Sequence, residues 1–177
     1  MYLDAGRART RRERYDEKSK SKIKLPVAIA TVNFSFDENL AFMIRGAACF
    51  GMSEVFVIGK LPDRSYLNPR TGSLYDYVSF KTFSTPRQFI DYCHANDYNI
   101  VSVELTDDAY SVYDYDFNFS EKTVIVLGNE ETGVPAEILL RNDSIFIPMN
   151  GPGYCLNVSQ AGTAIMSEYC RQYSLQR

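Results

Sequence analysis

IFIPMNGPGYCLNVSQAGTAI, residues 145–165, joins two regular elements by an irregular bridge. Its first residues complete an apolar run over 144–149 that reads as a strand bounded by a proline. Pro148, Gly151, Pro152 and Gly153 then deny the chain regular hydrogen bonding, so the amides and carbonyls of this loop are free for a ligand. Asn157 stands at the start of a predicted helix over 157–173, where asparagine is a favoured N-cap. Within that helix Ala161, Gly162 and Ala164, flanked by Ile165 and Met166, form a face that another element can approach closely.

Outward from this bridge, apolar runs alternate with helical patterns. LPVAIATVN (25–33), EVFVIG (54–59), VSFKTF (78–83), NIVSVEL (99–105) and TVIVLG (123–128) read as strands. Leu40, Met43, Ile44, Ala47 and Ala48 form one core-facing helical stripe, with Asp37 as its expected cap and Gly51 as its stop. Thr85 and Pro86 open a helix through Ala95, as N-cap and first residue. Residues 60–77 show no period and read as a loop with local structure, and 110–119 alternates aromatic and acidic residues ambiguously. Pro135 opens a short helix, AEILL. A strand, helix and strand within about 35 residues make a right-handed βαβ unit. The chain is therefore expected to be α/β, a mostly parallel sheet with helices on both faces. Ligands in such sheets bind beyond the carboxyl ends of strands, which selects residues 33–39, 128–133 and 149–157.

Bulk composition narrows the function classes. The chain has 177 residues, with 45% hydrophobic and 23% charged, enough for one soluble domain. It contains no run of about 18 apolar residues, so no membrane span is expected and a cytoplasmic protein is the default. Cys49, Cys93, Cys155 and Cys170 are scattered without metal-ligand spacing and read as small buried hydrophobes; no metal is expected. The lone histidine, His94, sits at the end of an ordinary helix and offers no hydrolytic triad. Net charge is -3 but is unevenly spread. Residues 1–24 hold nine Lys/Arg and four Asp/Glu, a balance of +5, and the rest hold ten and eighteen, a balance of -8. The first 24 residues read as a basic arm, either attracting phosphates or simply solvated, ahead of a single domain over 25–177.

Three constellations fall at the selected strand ends. In NLAFMIRGAACFG, Arg45 follows Ile44 and lies off the apolar stripe. In LGNEETGVP, Gly128 and Gly133 allow unusual backbone geometry, but no lysine is present, and Glu130 and Glu131 would repel phosphate. A neutral or cationic ligand suits that loop better. The third constellation is the opening bridge. In this order the three resemble the signature motifs of the SpoU (TrmH-type) RNA ribose methyltransferases of the SPOUT superfamily, over about residues 26–173.

That resemblance implies a C-terminal trefoil knot, with 145–157 as the crossing segment. It implies S-adenosylmethionine as cofactor, held largely by backbone groups around Leu127, Gly128, Ile147, Met149 and Leu156. It implies methyl transfer to a ribose 2′-hydroxyl of tRNA or rRNA, in a homodimer whose subunits complete each other's site. Arg45 matches the arginine often described as the base. Arginine is effectively always protonated, so a clamp for phosphate and for developing alkoxide charge is the preferred role. Asn39, Glu130 and Asn157 match the other polar positions and are expected to orient Arg45 and the ribose. Many relatives carry serine where this chain has Cys155. The alternative is a catalytically idle RNA- or adenosylmethionine-binding protein on the same fold.

Overall fold

β1 (Val27–Val32) is buried along its whole length, which is why VAIATV shows no alternation with polar residues. In the computed structural model, which describes residues 24–176 apart from 53 and 141, together with 13 and 17, this strand pairs on both edges. One neighbour is β2 (Glu54–Ile58) and the other is β6 (Lys122–Leu127), and both pairings are parallel, with Ala30 opposite Phe56 and Val126. β3 (Ser79–Phe83) continues the sheet beyond β2. β4 (Tyr98–Val103), β7 (Asp143–Phe146) and β5 (Tyr110–Ser111) continue it beyond β6. The order is β3-β2-β1-β6-β4-β7-β5, and every pairing is parallel. The basic arm expected over 1–24 lies outside the described residues, Glu13, Glu17 and Lys24 excepted.

Each sheet face carries its own core. On one, α1 (Asp37–Phe50) and α5 (Val158–Leu175) lay Met43, Ile44, Ile165, Met166 and Tyr169 over Ile29, Ile125 and Leu127. On the other, α3 (Pro86–Ala95) and the short α4 (Ala136–Leu139) lay Phe89, Ile90, Cys93 and Ile138 over Ala28, Phe56 and Val126. The expected cap of α3 is present: the Thr85 hydroxyl accepts a bond from the Gln88 amide, 3.3 Å.

The small residues of α1 and α5 are used within the chain. A Cβ on Gly46 would lie 2.4 Å from Met166 Cε, and one on Gly162 would lie 2.5 Å from Met43 Cε. These glycines let the two helices pack closely, while Ala164 stays exposed on the outer side of α5 and Ala161 is half-buried.

Four expectations are corrected. Phe36, not Asp37, is the N-cap of α1; Asp37 is its first helical residue, where a carboxylate complements the helix dipole without capping. Residues 60–77 hold α2 (Arg64–Arg70) and a 3-10 turn at Tyr75–Tyr77; Pro69 inside the helix and its brevity hid the period. The last strand ends at Phe146, because Pro148 cannot donate to a ladder. Cys93 is buried, but Cys49 and Cys155 are exposed, on the outer side of α1 and in the bridge.

Candidate functional site

A wholly parallel sheet brings all its carboxyl ends to one edge. The loops after β1, β2, β4, β6 and β7 therefore gather there, although they lie far apart in sequence.

Three of the polar residues singled out from the sequence meet at this edge. Glu130 accepts from Asn39 Nδ2 through Oε1, 2.6 Å, and from the Ser35 amide through Oε2, 2.8 Å. Asn39 Oδ1 accepts from Asn157 Nδ2, 3.1 Å. Asn157 Oδ1 in turn accepts from the amide and hydroxyl of Ser159, at 2.9 and 2.6 Å, and so caps α5. The chain of bonds has a fixed direction. One end is a backbone N–H, which can only donate, and the other is a carboxylate, which can only accept. Both intervening amides are thereby locked in one orientation. Asn39 is buried, at 5% exposure, so its amide needs both partners.

The Glu130 carboxylate keeps its charge. Partial burial pushes its pKa up, but the bonds from the Ser35 amide and the Asn39 side chain outweigh this, and the net direction is down. A carboxylate held this way is a poor base near neutral pH and a good anchor.

The loop that carries Glu130 is built without slack. Asn129 and Gly133 exchange backbone bonds of 3.1 and 2.9 Å. Asn129 Oδ1 accepts from the amides of Glu131 and Thr132, while its Nδ2 donates to the Asn33 carbonyl. Gly128 is packed so tightly that a Cβ there would lie 2.2 Å from Gly133 C and 2.4 Å from Val134 N. Glu104, just past β4, accepts from the Val134 amide at 3.0 Å and ties this loop to the next strand.

Beside the network runs the bridge from Ile147 to Leu156. Among the described residues its backbone makes no hydrogen bond to the rest of the protein. Met149 and Leu156 are 42% and 41% exposed, while Leu127 and Gly128 are buried at the adjoining strand end. Unclaimed amides and carbonyls beside exposed apolar side chains suit a ligand with an adenine ring, a ribose and a thioether-like stem. The residues assigned to S-adenosylmethionine therefore fit such a group.

Arg45 does not join the three. It lies about 240° around α1 from Asn39 and about 9 Å along its axis. No hydrogen bond links it to Asn39, Glu130 or Asn157 among the described residues. Its exposed guanidinium lies beside Gly72, where a Cβ would stand 3.3 Å from Nη1.

Comparison with known proteins identifies the family. The model of the SpoU rRNA Methylase family matches residues 26–167. The chain belongs to the SpoU family. It is 31% identical over 146 residues to a tRNA (guanosine(18)-2′-O)-methyltransferase of Mus musculus, covering 77% of this chain and 9% of that protein. It is 30% identical over 140 residues to a 23S rRNA (uridine(2479)-2′-O)-methyltransferase of Streptomyces viridochromogenes, covering 76% and 48%. Its fold matches the crystal structure of the SpoU methyltransferase AviRb from that organism in complex with the cofactor AdoMet, with a TM-score of 0.73 and 24% identity over 89% of this chain and 64% of that one. The chain thus spans half or less of the length of those two relatives.

Several residues that brace this SpoU site were missed in the sequence. Ser35 and Ser159 act through a backbone amide and a cap, which leave no mark in composition. Asn129 carried a signal: an asparagine between a strand-ending glycine and a second glycine four residues on suits an Asx-turn. Glu104 reads only as part of the predicted strand over 99–105.

Proposed function

We propose that this chain is an S-adenosylmethionine-dependent RNA methyltransferase that acts on a ribose 2′-hydroxyl of tRNA or rRNA. The observation that carries the reading is the directed chain Ser159–Asn157–Asn39–Glu130, set against the unclaimed backbone of 147–156. The names of the two relatives, one acting on tRNA and one on rRNA, support it.

S-adenosylmethionine supplies an activated methyl on a sulfonium sulfur. The bridge backbone, with Leu127, Gly128, Ile147, Met149 and Leu156, would hold that cofactor. Asn39 and Asn157 position the ribose, because their amides are locked. The cationic Arg45 guanidinium would stabilise negative charge on the 2′-oxygen or a neighbouring phosphate while the hydroxyl proton leaves to water. Holding the ribose in one orientation beside the cofactor site would be this chain's main contribution to the rate.

Arg45 and the network occupy different faces of one chain, which supports a homodimer in which the partner subunit's Arg45 faces this chain's network. Phe36 and Phe42, 62% and 50% exposed, flank Asn39 on α1, and Tyr154 is 93% exposed in the bridge. Aromatic surface of this kind suits a subunit interface. A deep crossing of 145–157, a cytoplasmic location, one methyltransferase domain over 25–177, and an RNA-attracting role for residues 1–24 complete the proposal. None of the helices among the described residues is long and apolar enough to cross a membrane.

The test is tritiated methyl transfer to bulk tRNA and rRNA, with nucleoside analysis of the product. A 2′-O-methylated nucleoside supports the reading. Cofactor binding by calorimetry without transfer to any RNA, or a base-methylated nucleoside as sole product, overturns it. Deleting residues 1–22 should weaken RNA affinity and flatten its salt dependence.

A further inference from the structure

A cleft of about 150 Å³ opens between the carboxyl ends of β1 and β2 and is not used by the cofactor residues. Buried Thr31 and Val57 lie at its base, and Phe34 and Leu40 give it apolar walls. Asn33, Asp37 and Lys60, all exposed, supply its polar rim. We propose that this cleft seats the base of the nucleotide being methylated, and that it is cut for guanine. The inference rests on the ribose-methylation reading.

Size agrees first: an apolar cavity of about 150 Å³ accepts a benzene-sized ring, and a cleft open on one side takes a larger planar one. Position agrees next. The cleft and the Asn39 network share the loop 33–36, since the Ser35 amide donates to Glu130 and Asn129 donates to the Asn33 carbonyl. A base and a 2′-hydroxyl hang from adjacent carbons of the same ribose. A base held on one side of this loop therefore keeps its own hydroxyl near the network on the other.

The wall is also specifically built. Asn33 takes a left-handed conformation, φ 40°, uncommon for a residue other than glycine. Its side chain lies over Gly59, φ 117°, where a Cβ would meet Asn33 Oδ1 at 1.9 Å. Strained backbone of this kind concentrates at binding sites.

The rim chemistry selects the base. A carboxylate accepts and an ammonium donates, and neither Asp37 nor Lys60 is committed to an ion pair among the described residues. Guanine alone of the four bases presents two adjacent N–H groups beside a carbonyl. Asp37 would take the two N–H groups and Lys60 the carbonyl oxygen. Uracil offers one N–H between two carbonyls, and cytosine and adenine place a ring acceptor where the carboxylate needs a donor.

The experiment is saturation-transfer NMR on the full chain with free guanosine, inosine, cytidine and uridine. Guanosine is expected to bind in preference to the others. Inosine, which lacks the exocyclic amino group, is expected to bind several-fold more weakly. Asp37→Asn is expected to lower guanosine affinity about tenfold, the lower part of the range for losing a bidentate base contact. Lys60→Ala, an exposed change outside any helix, lowers it less and guards against misfolding of the first variant. Equal binding of all four nucleosides, no binding of any, or indifference to both substitutions overturns the inference. Methyl transfer measured on the same preparation separates the two claims: 2′-O-methyluridine or 2′-O-methylcytidine as sole product sinks the guanine cleft and leaves the methyltransferase standing, whereas absence of any transfer sinks the methyltransferase.

Discussion

Replacing Glu130 by glutamine tests the directed chain with the smallest change of shape. In the native protein both carboxylate oxygens accept, one from Asn39 Nδ2 and one from the Ser35 amide. A glutamine keeps one acceptor and presents an NH₂ to the other donor. If that NH₂ faces Asn39, the Asn39 amide can turn over only if Asn157 does too, and then Asn157 would present its own NH₂ to the Ser159 amide, which can only donate. Relief by rotation is blocked at the far end, so one bond is lost. A hydrogen bond to a charged group contributes about 1.5–3 kcal/mol, and the partial exposure of this one brings the expectation to about 1–2 kcal/mol. For a domain of this size that lowers Tm by about 3–6 °C. The pH dependence should change as well. The folded pKa of Glu130 is depressed, so its contribution is full above the unfolded value, near 4.5, and is lost as pH falls through the folded value. Urea unfolding of both proteins between pH 7 and pH 3 measures this. Glu130→Gln should be less stable at pH 7 and should lose less on acidification. A variant as stable as the parent at pH 7, with the same acid slope, would refute the fixed direction of the chain.

Arg45→Ala should abolish methyl transfer yet leave cofactor affinity, read by calorimetry, nearly unchanged; equal loss of both would make Arg45 a structural residue. If the site is shared between subunits, an exchanged equimolar mixture of Arg45→Ala and Asn157→Ala should recover about a quarter of parental activity, because half of the dimers would be mixed and each would hold one intact site. No recovery would place both residues in one chain's site. Gly128→Ala should displace the 129–133 loop, since its Cβ meets backbone at 2.2–2.6 Å; a cost of about 1–3 kcal/mol and weakened cofactor binding would appear together in thermal unfolding and calorimetry. Tyr169→Phe should be neutral or stabilising by about 1 kcal/mol, because the buried hydroxyl has no partner among the described residues; a clear fall in Tm would mean that the hydroxyl is paired.

Much of the frame was legible because it rests on local signals. The apolar run of β1, the stripe of α1 and the Thr85–Pro86 helix start all reappear within a residue or two. Asn157 as a cap was legible for the same reason. Its contact with Asn39 was not, since 118 positions separate the two, and the bond exists only because the parallel sheet brings distant loops together. The expected orientation of Arg45 by Asn39, Glu130 and Asn157 has no hydrogen bond behind it within one chain, since Asn39 and Arg45 lie about 120° apart around α1. Of the small residues read as contact-makers, Gly46 and Gly162 pack against methionines of the opposite helix, which composition could not name, and Ala164 stays exposed. The helix inside 60–77 was hidden by Pro69.

The interior place of β1 in the sheet bears on how the chain is made. One edge of that strand pairs with residues 54–58 soon after they are synthesised, but the other waits for residues 122–127. Until those emerge from the ribosome, a nascent chain carries an open, mostly apolar strand edge, a template for the wrong partner. Successful production of this protein should therefore depend on shielding during translation, and fragments ending before residue 122 should aggregate.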